Sequence, residues 1–147
     1  MSAEPVTTKG LPRVEGLVFA EISIRNGHDL AMARRDDSRP GAVREVLLDQ
    51  IRVDSYSTHL ALPMALVEPL GLDFMRDVAV RTSTGLVDAR LVGPAELEVN
   101  GRAGTLTVLE LPGDYRPLLG FIPMQLLGIE PDVLHHTVRL RSPYVYA

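Results

Sequence analysis

Ile51-Arg52-Val53-Asp54-Ser55-Tyr56-Ser57-Thr58 is the stretch that decides how the chain is read. Ile51 and Val53 alternate with Arg52, a period-two pattern that fits the last residues of a half-buried strand. Asp54 then ends the apolar run and opens a cluster of hydroxyls. A carboxylate at the end of a buried strand, surrounded by hydroxyl and backbone donors, can be fixed by several hydrogen bonds. The same Asp-Ser pair also suits an exposed Asx-turn with a purely structural role. Local pattern alone leaves both readings open.

Upstream, Met1 to about Glu15 is polar and interrupted by prolines, and reads as a flexible N-terminal tail before a single domain over 16–147. Leu17–Arg25 alternates like a strand. Asn26-Gly27 is a two-residue hairpin signal with Leu30–Arg34 as the return strand. Asp36–Gly41 has the composition of an exposed loop. Val43–Val53 suits a strand pair broken near Asp49-Gln50.

Downstream, Pro63 can open a short helix, since the first helical position needs no N–H donor, and Pro69 with Gly71 ends it. Val78–Val80 and Leu86–Val92 flank Arg81-Thr82-Ser83-Thr84-Gly85, a hairpin with a small tip. Glu96–Val99 and Thr105–Leu111 flank a second Asn-Gly turn, Asn100-Gly101. Leu118-Leu119-Gly120 ends another apolar strand. Pro123–Leu127 predicts a second short helix closed by Gly128, and Val138–Leu140 with Val145 a last strand. Short strands with turn signals about every 8–12 residues and two brief helices define an all-β class, a barrel or sandwich. The order strand, turn, Pro-started helix and Leu-Gly exit occurs twice, from Leu62-Pro63-Met64 to Leu70-Gly71 and from Ile122-Pro123-Met124 to Leu127-Gly128. That repetition predicts an internal pseudo-repeat.

Composition narrows the function. With 147 residues, 46% apolar and 23% charged, one ordinary globular domain is expected. A net charge of −4 argues against nucleic-acid and anionic-membrane surfaces. There is no cysteine, which removes disulfides and thiolate chemistry. Apolar runs such as Leu60–Leu66 are too short to span a bilayer, and Met1–Gly10 lacks the order of a secretory signal, so a cytoplasmic location is expected.

Taken together, Val53-Asp54-Ser55, Leu62-Pro63, Leu70-Gly71-Leu72, the Gly85 hairpin and Leu118-Leu119-Gly120 resemble the retropepsin-like aspartic proteases. The likeness runs from about Gly16 to Tyr144 and is nearest to the small bacterial branch of that family. There an opening like Leu17-Val18-Phe19-Ala20-Glu21 and a segment like Leu111-Pro112-Gly113-Asp114 through Phe121-Ile122-Pro123-Met124 also recur. The resemblance implies an acid-protease fold: a closed β barrel with a pseudo-two-fold, an Asp-Thr/Ser-Gly active turn, a flap and a homodimer acting on peptide or protein. By position, Asp54 would be the catalytic aspartate and Ser55 the hydroxyl bracing the two active turns. Tyr56 and Ser57 would complete the turn, Thr82, Ser83, Thr84 and Gly85 would be the flap tip, and Leu118, Leu119 and Gly120 would pack behind the turn.

The chemistry requires a second carboxylate. Two carboxylates about 3 Å apart share one proton, so that one activates water while the other protonates the carbonyl. Asp88, Asp114 and Asp132 do not follow an apolar strand and precede a Ser or Thr, so the partner Asp54 must come from a second copy. Tyr56 departs from the family, which has Gly there because the backbone turns sharply against the opposing chain. Its side chain must either point into the cleft or force the turn open. The leading expectation is therefore an aspartic endopeptidase, with a catalytically silent module that binds peptides or a protein partner as the alternative. A dimeric scaffold with no peptide cleft is a third possibility.

No cofactor and no metal are expected. His135-His136 on a strand would point to opposite faces, and no Cys or spaced carboxylate cluster accompanies them. His59 lies near Asp54 and Ser55, but three residues so close in sequence rarely align as a triad, and a surface or packing role is the simpler reading.

Overall fold

The computed structural model describes residues 6–8, 17–35, 42–141 and 147. The order of elements is β1 (Val6–Thr8), β2 (Val18–Asn26), α1 (Gly27–Arg35), β3 (Glu45–Val53), β4 (Leu60–Pro63) and α2 (Met64–Val67), which runs into a 3-10 turn at Glu68–Leu70. Then come β5 (Asp73–Thr82), β6 (Gly85–Val99), β7 (Arg102–Leu111), β8 (Leu118–Leu119), α3 (Phe121–Leu127), β9 (Ile129–Asp132) and β10 (Thr137–Leu140). The protein is mostly β, and no helix among the described residues is long and apolar enough to cross a membrane.

The main sheet closes on itself through neighbours β3, β2, β6, β7, β4 and β8, with β8 returning to β3. Two similar halves build this ring. Antiparallel β2 and β3 are followed by a turn, β4 and α2; antiparallel β6 and β7 are followed by a turn, β8 and α3. Each half's third strand then pairs in parallel with the other half's second strand, β4 with β7 and β8 with β3. β4 and β8 meet antiparallel in the middle, Leu60 opposite Leu119. Pro63 ends β4 and caps α2 rather than occupying its first turn, and α3 starts at Phe121 rather than Pro123. The 3-10 turn after α2, and α3 itself, exit through glycines in the left-handed region, Gly71 and Gly128, where a side chain would be strained.

The core lies inside the ring. Inward-facing Ile22, Ile24, Val46, Leu48, Ile51, Leu60, Leu62, Leu97 and Leu119 are almost wholly buried, as the period-two alternation of β2, β3 and β6 dictates. A second, smaller apolar cluster of Ala61, Ala89, Leu91, Leu109 and Leu111 lies apart from it, with Val78, Val80, Tyr115 and Leu118 packed against it.

Several expectations are corrected. Asn26-Gly27 does not turn a hairpin, and Leu30–Arg34 is not a return strand: the segment is α1, a third helix. Asn26 is buried and its side chain is already committed, donating to the carbonyl of Leu70 at 2.8 Å and accepting from the Asp29 N–H at 3.0 Å. The latter bond caps the helix in the way asparagine favours. Asp29 in turn takes the Arg44 guanidinium at 2.7 and 2.9 Å, which fixes α1 against the start of β3. The break near Asp49-Gln50 is a bulge within one continuous strand, because the β2–β3 register slips between Ala20 and Ile22. Within the stretch read as a tail, Val6–Thr8 runs parallel to Val46–Leu48; its remaining residues, like Asp36–Gly41 and Val145, lie outside the described residues. His135 and His136 sit in the turn between β9 and β10 rather than on a strand. They bond to different partners, the Asp132 carboxylate and the Leu17 carbonyl.

Candidate active site

β3 delivers Asp54 to the surface directly after buried Val53, and the loop from Asp54 to His59 returns as β4. Both ends of this loop are pinned by the two-residue strand β8. Arg52 and Val53 pair with Leu118 and Leu119 on one side, and Leu60 and Ala61 pair with Leu119 and Leu118 on the other. The Asp54 N–H donates to the Leu119 carbonyl at 3.0 Å. Inside the loop, the Ser57 N–H donates to the Asp54 carbonyl at 3.1 Å and the Tyr56 N–H donates to Asp54 Oδ1 at 2.9 Å. This closed Asx-turn leaves the second carboxylate oxygen without a hydrogen bond among the described residues.

Behind the loop, the start of α3 donates into it. The Phe121 N–H reaches the Ser57 carbonyl at 2.7 Å, and the Ile122 N–H reaches the Thr58 carbonyl at 2.8 Å. Gly120 makes this approach possible. A Cβ there would stand 2.5 Å from the His59 carbonyl oxygen and 2.6 Å from that of Ser57, so only glycine fits. The three residues Leu118, Leu119 and Gly120 thus do lie behind the Asp54 turn.

Over the loop stands the β5–β6 hairpin, with Ser83 and Thr84 at its tip and Thr82 opposite Gly85. The Thr82 hydroxyl donates to the Gly85 carbonyl at 2.9 Å, closing the tip. Between hairpin and loop is a cleft of about 860 Å³, bordered by Asp54, Tyr56, Ser57, Thr82 and Ser83. Its floor is the smaller apolar cluster: Ala61, Leu91, Leu109, Leu111 and Leu118 all reach it. Ser55, Thr84 and Gly85 are exposed and do not border the cleft.

Tyr56 borders the cleft and is 99% exposed. Neither of the two expected outcomes is seen: the turn stays closed, and the side chain avoids filling the cleft by projecting into solvent at its border. His59 is half-buried, and its Nδ1 pairs with the Thr58 hydroxyl at 2.6 Å rather than with Asp54. Burial, reinforced by the nearby Arg76 charge, holds this imidazole below its ordinary pKa of 6.5.

Sequence reasoning missed the cationic lining. Arg52, Arg76, Arg81 and Arg116 all border the cleft, whereas Asp54 is its only carboxylate among the described residues. Period-two placement puts Arg52 on the same face of the chain as Asp54, which is the signal that could have found it. Arg116 comes from a loop on another part of the ring, and nothing local announces it.

No protein-family model matches the chain, and no curated protein matches it.

Proposed function

We propose that this protein is a retropepsin-like peptidase domain that receives an extended peptide between the Asp54 turn and the β5–β6 hairpin. In this reading it hydrolyses the peptide as a homodimer. Two Asp54 carboxylates, one from each copy, would share a proton; one activates water and the other protonates the scissile carbonyl. Ser55 would brace the paired turns. The observation that carries the reading is the Asp54 carboxylate, held at one oxygen by the Tyr56 N–H and bordering a hairpin-covered cleft with an apolar floor. The ring of strands with its exchanged third strands is the framework a pseudo-two-fold acid-protease barrel requires. Sedimentation at micromolar concentration tests the symmetric dyad: a dimer is expected, and a strict monomer removes the shared-proton mechanism.

One observation favours a second reading, a silent peptide-binding module. Tyr56, whose N–H bonds the Asp54 carboxylate, carries a fully exposed side chain at the border of the cleft, where a second copy and a substrate backbone would both need space. In that case the cleft binds peptide without cleaving it.

A further inference from the structure

Among the described residues Arg102 bonds the Leu127 and Gly128 carbonyls, Arg35 and Arg141, which lie outside the cleft, have no carboxylate partner, and the remaining arginines fall into two groups. Arg25, Arg34, Arg44, Arg90 and Arg139 each pair with a carboxylate: Glu45 and Glu98, Glu96, Asp29, Glu110 and Glu130 respectively. Arg90 also lies over the Phe74 ring, 4.7 Å from its centre. The four arginines of the cleft behave differently. Among the described residues none of Arg52, Arg76, Arg81 and Arg116 pairs with a carboxylate, and Asp54, the one acid bordering the cleft among them, spends one oxygen on the Tyr56 N–H.

Four guanidinium groups without a carboxylate partner border one concave, partly apolar space, and charges of one sign gathered in a cleft favour ligands of the opposite sign. Guanidinium groups left unpaired in a cleft are suited to carboxylate ligands, which they bind through paired N–H donors. The aliphatic floor, meanwhile, suits an apolar side chain.

We infer that the cleft selects peptide segments in which acidic side chains flank an apolar residue. The inference rests on the peptide-cleft reading above and adds the substrate class to it. The floor takes the apolar side chain, and the arginines on both walls take the flanking carboxylates. Arg76 and Arg81 serve from the hairpin arm, and Arg52 and Arg116 from the side of the Asp54 turn.

The test uses the full chain carrying Asp54→Asn, so that bound peptide is not consumed. Fluorescein-labelled peptides share a central leucine flanked by pairs of glutamate, glutamine or lysine, and binding is read by anisotropy. The glutamate peptide should bind about tenfold more tightly than the glutamine peptide at low ionic strength, and the lysine peptide most weakly. That preference should shrink in high salt, where the Debye length drops to about 3 Å. With Arg76→Gln and Arg116→Gln together, the ratio of the two affinities should fall to a few-fold at most. Equal or reversed affinities overturn the inference while leaving a peptide cleft in place, and so does an undiminished ratio in the double variant. If no peptide of any charge binds, the peptide-cleft reading falls and the inference with it. A single-stranded oligonucleotide that displaces the glutamate peptide at lower concentration than the unlabelled peptide does would assign the cations to phosphate instead and overturn the inference.

Discussion

Gly120 lies so close to Ser57 that a Cβ at position 120 would meet the Ser57 carbonyl oxygen at 2.6 Å, while the next residue's N–H donates to that same oxygen at 2.7 Å. The backbone behind Asp54 is therefore locked to the loop that carries it. Gly120→Ala must push the two segments apart, because the obstructing atoms are backbone and cannot rotate away. A loss of about 2–3 kcal/mol of unfolding free energy is expected from urea titration. The same variant should lose peptide binding, since the Asp54 turn moves with Ser57. An alanine variant of native stability would contradict this packing.

Tyr56 is predicted to matter for turnover and little for stability. Its ring is 99% exposed, so removing it exposes no core. Tyr56→Gly should cost no more than about 1 kcal/mol, the entropy of an added glycine. Peptide turnover should rise in this variant if the ring obstructs the paired turns. An unchanged or lower rate would count against obstruction.

The Asp29–Arg44 pair should report on acid stability. Hydrogen bonds from the Arg44 guanidinium hold the Asp29 carboxyl below its usual pKa of 3.8. The folded state thus binds fewer protons than the unfolded chain, and the pair's contribution is present above about pH 3.8 and lost as pH falls through the lower folded value. Because Arg44 is partly exposed, Asp29→Asn should cost only about 1 kcal/mol at neutral pH. Unfolding midpoints across the acid range should converge for the two proteins as the aspartate protonates.

His59 gives a separate pH signature with the opposite chemistry and the same sign. Its folded pKa lies below 6.5 because burial disfavours the imidazolium and Arg76 repels it. Just below pH 6.5 the unfolded chain takes up a proton that the folded protein refuses, so stability falls with pH until the folded value is passed. His59→Gln should flatten that part of the stability profile, measured as urea midpoints between about pH 7.5 and 5. An unaltered slope would show that the ring is freely solvated.

The local grammar of the chain was easy to read where the deciding contacts are local. Asn100-Gly101 turns β6 into β7 with both residues at positive φ, and Gly71 and Gly128 close the 3-10 turn after α2 and α3 itself. Apolar alternation marks Asp54 and Gly120 as the ends of two strands, whereas the packing of Gly120 behind the Asp54 turn was expected only from the family resemblance. Asn26-Gly27 misled for a physical reason: the Asn26 side chain bonds to Leu70, forty-four residues away, and that partner is invisible to a local pattern. Ring closure is similar, since β3 meets β8 and β4 meets β7 in parallel across long separations. The arginines of the cleft escaped notice because their meaning lies in having no carboxylate beside them, a property of the folded surface alone.

The most direct test of the central claim is cleavage of a diverse peptide mixture between about pH 4 and pH 7, the range in which a proton-sharing carboxylate pair operates, read by mass spectrometry beside Asp54→Asn. The asparagine keeps an Oδ1 acceptor for the Tyr56 N–H, so the turn and fold should persist in the variant. The account predicts cleavage by the native protein that vanishes in the variant. Cleavage that survives the substitution, or a native dimer that cleaves nothing across the range, would contradict an Asp54-centred peptidase.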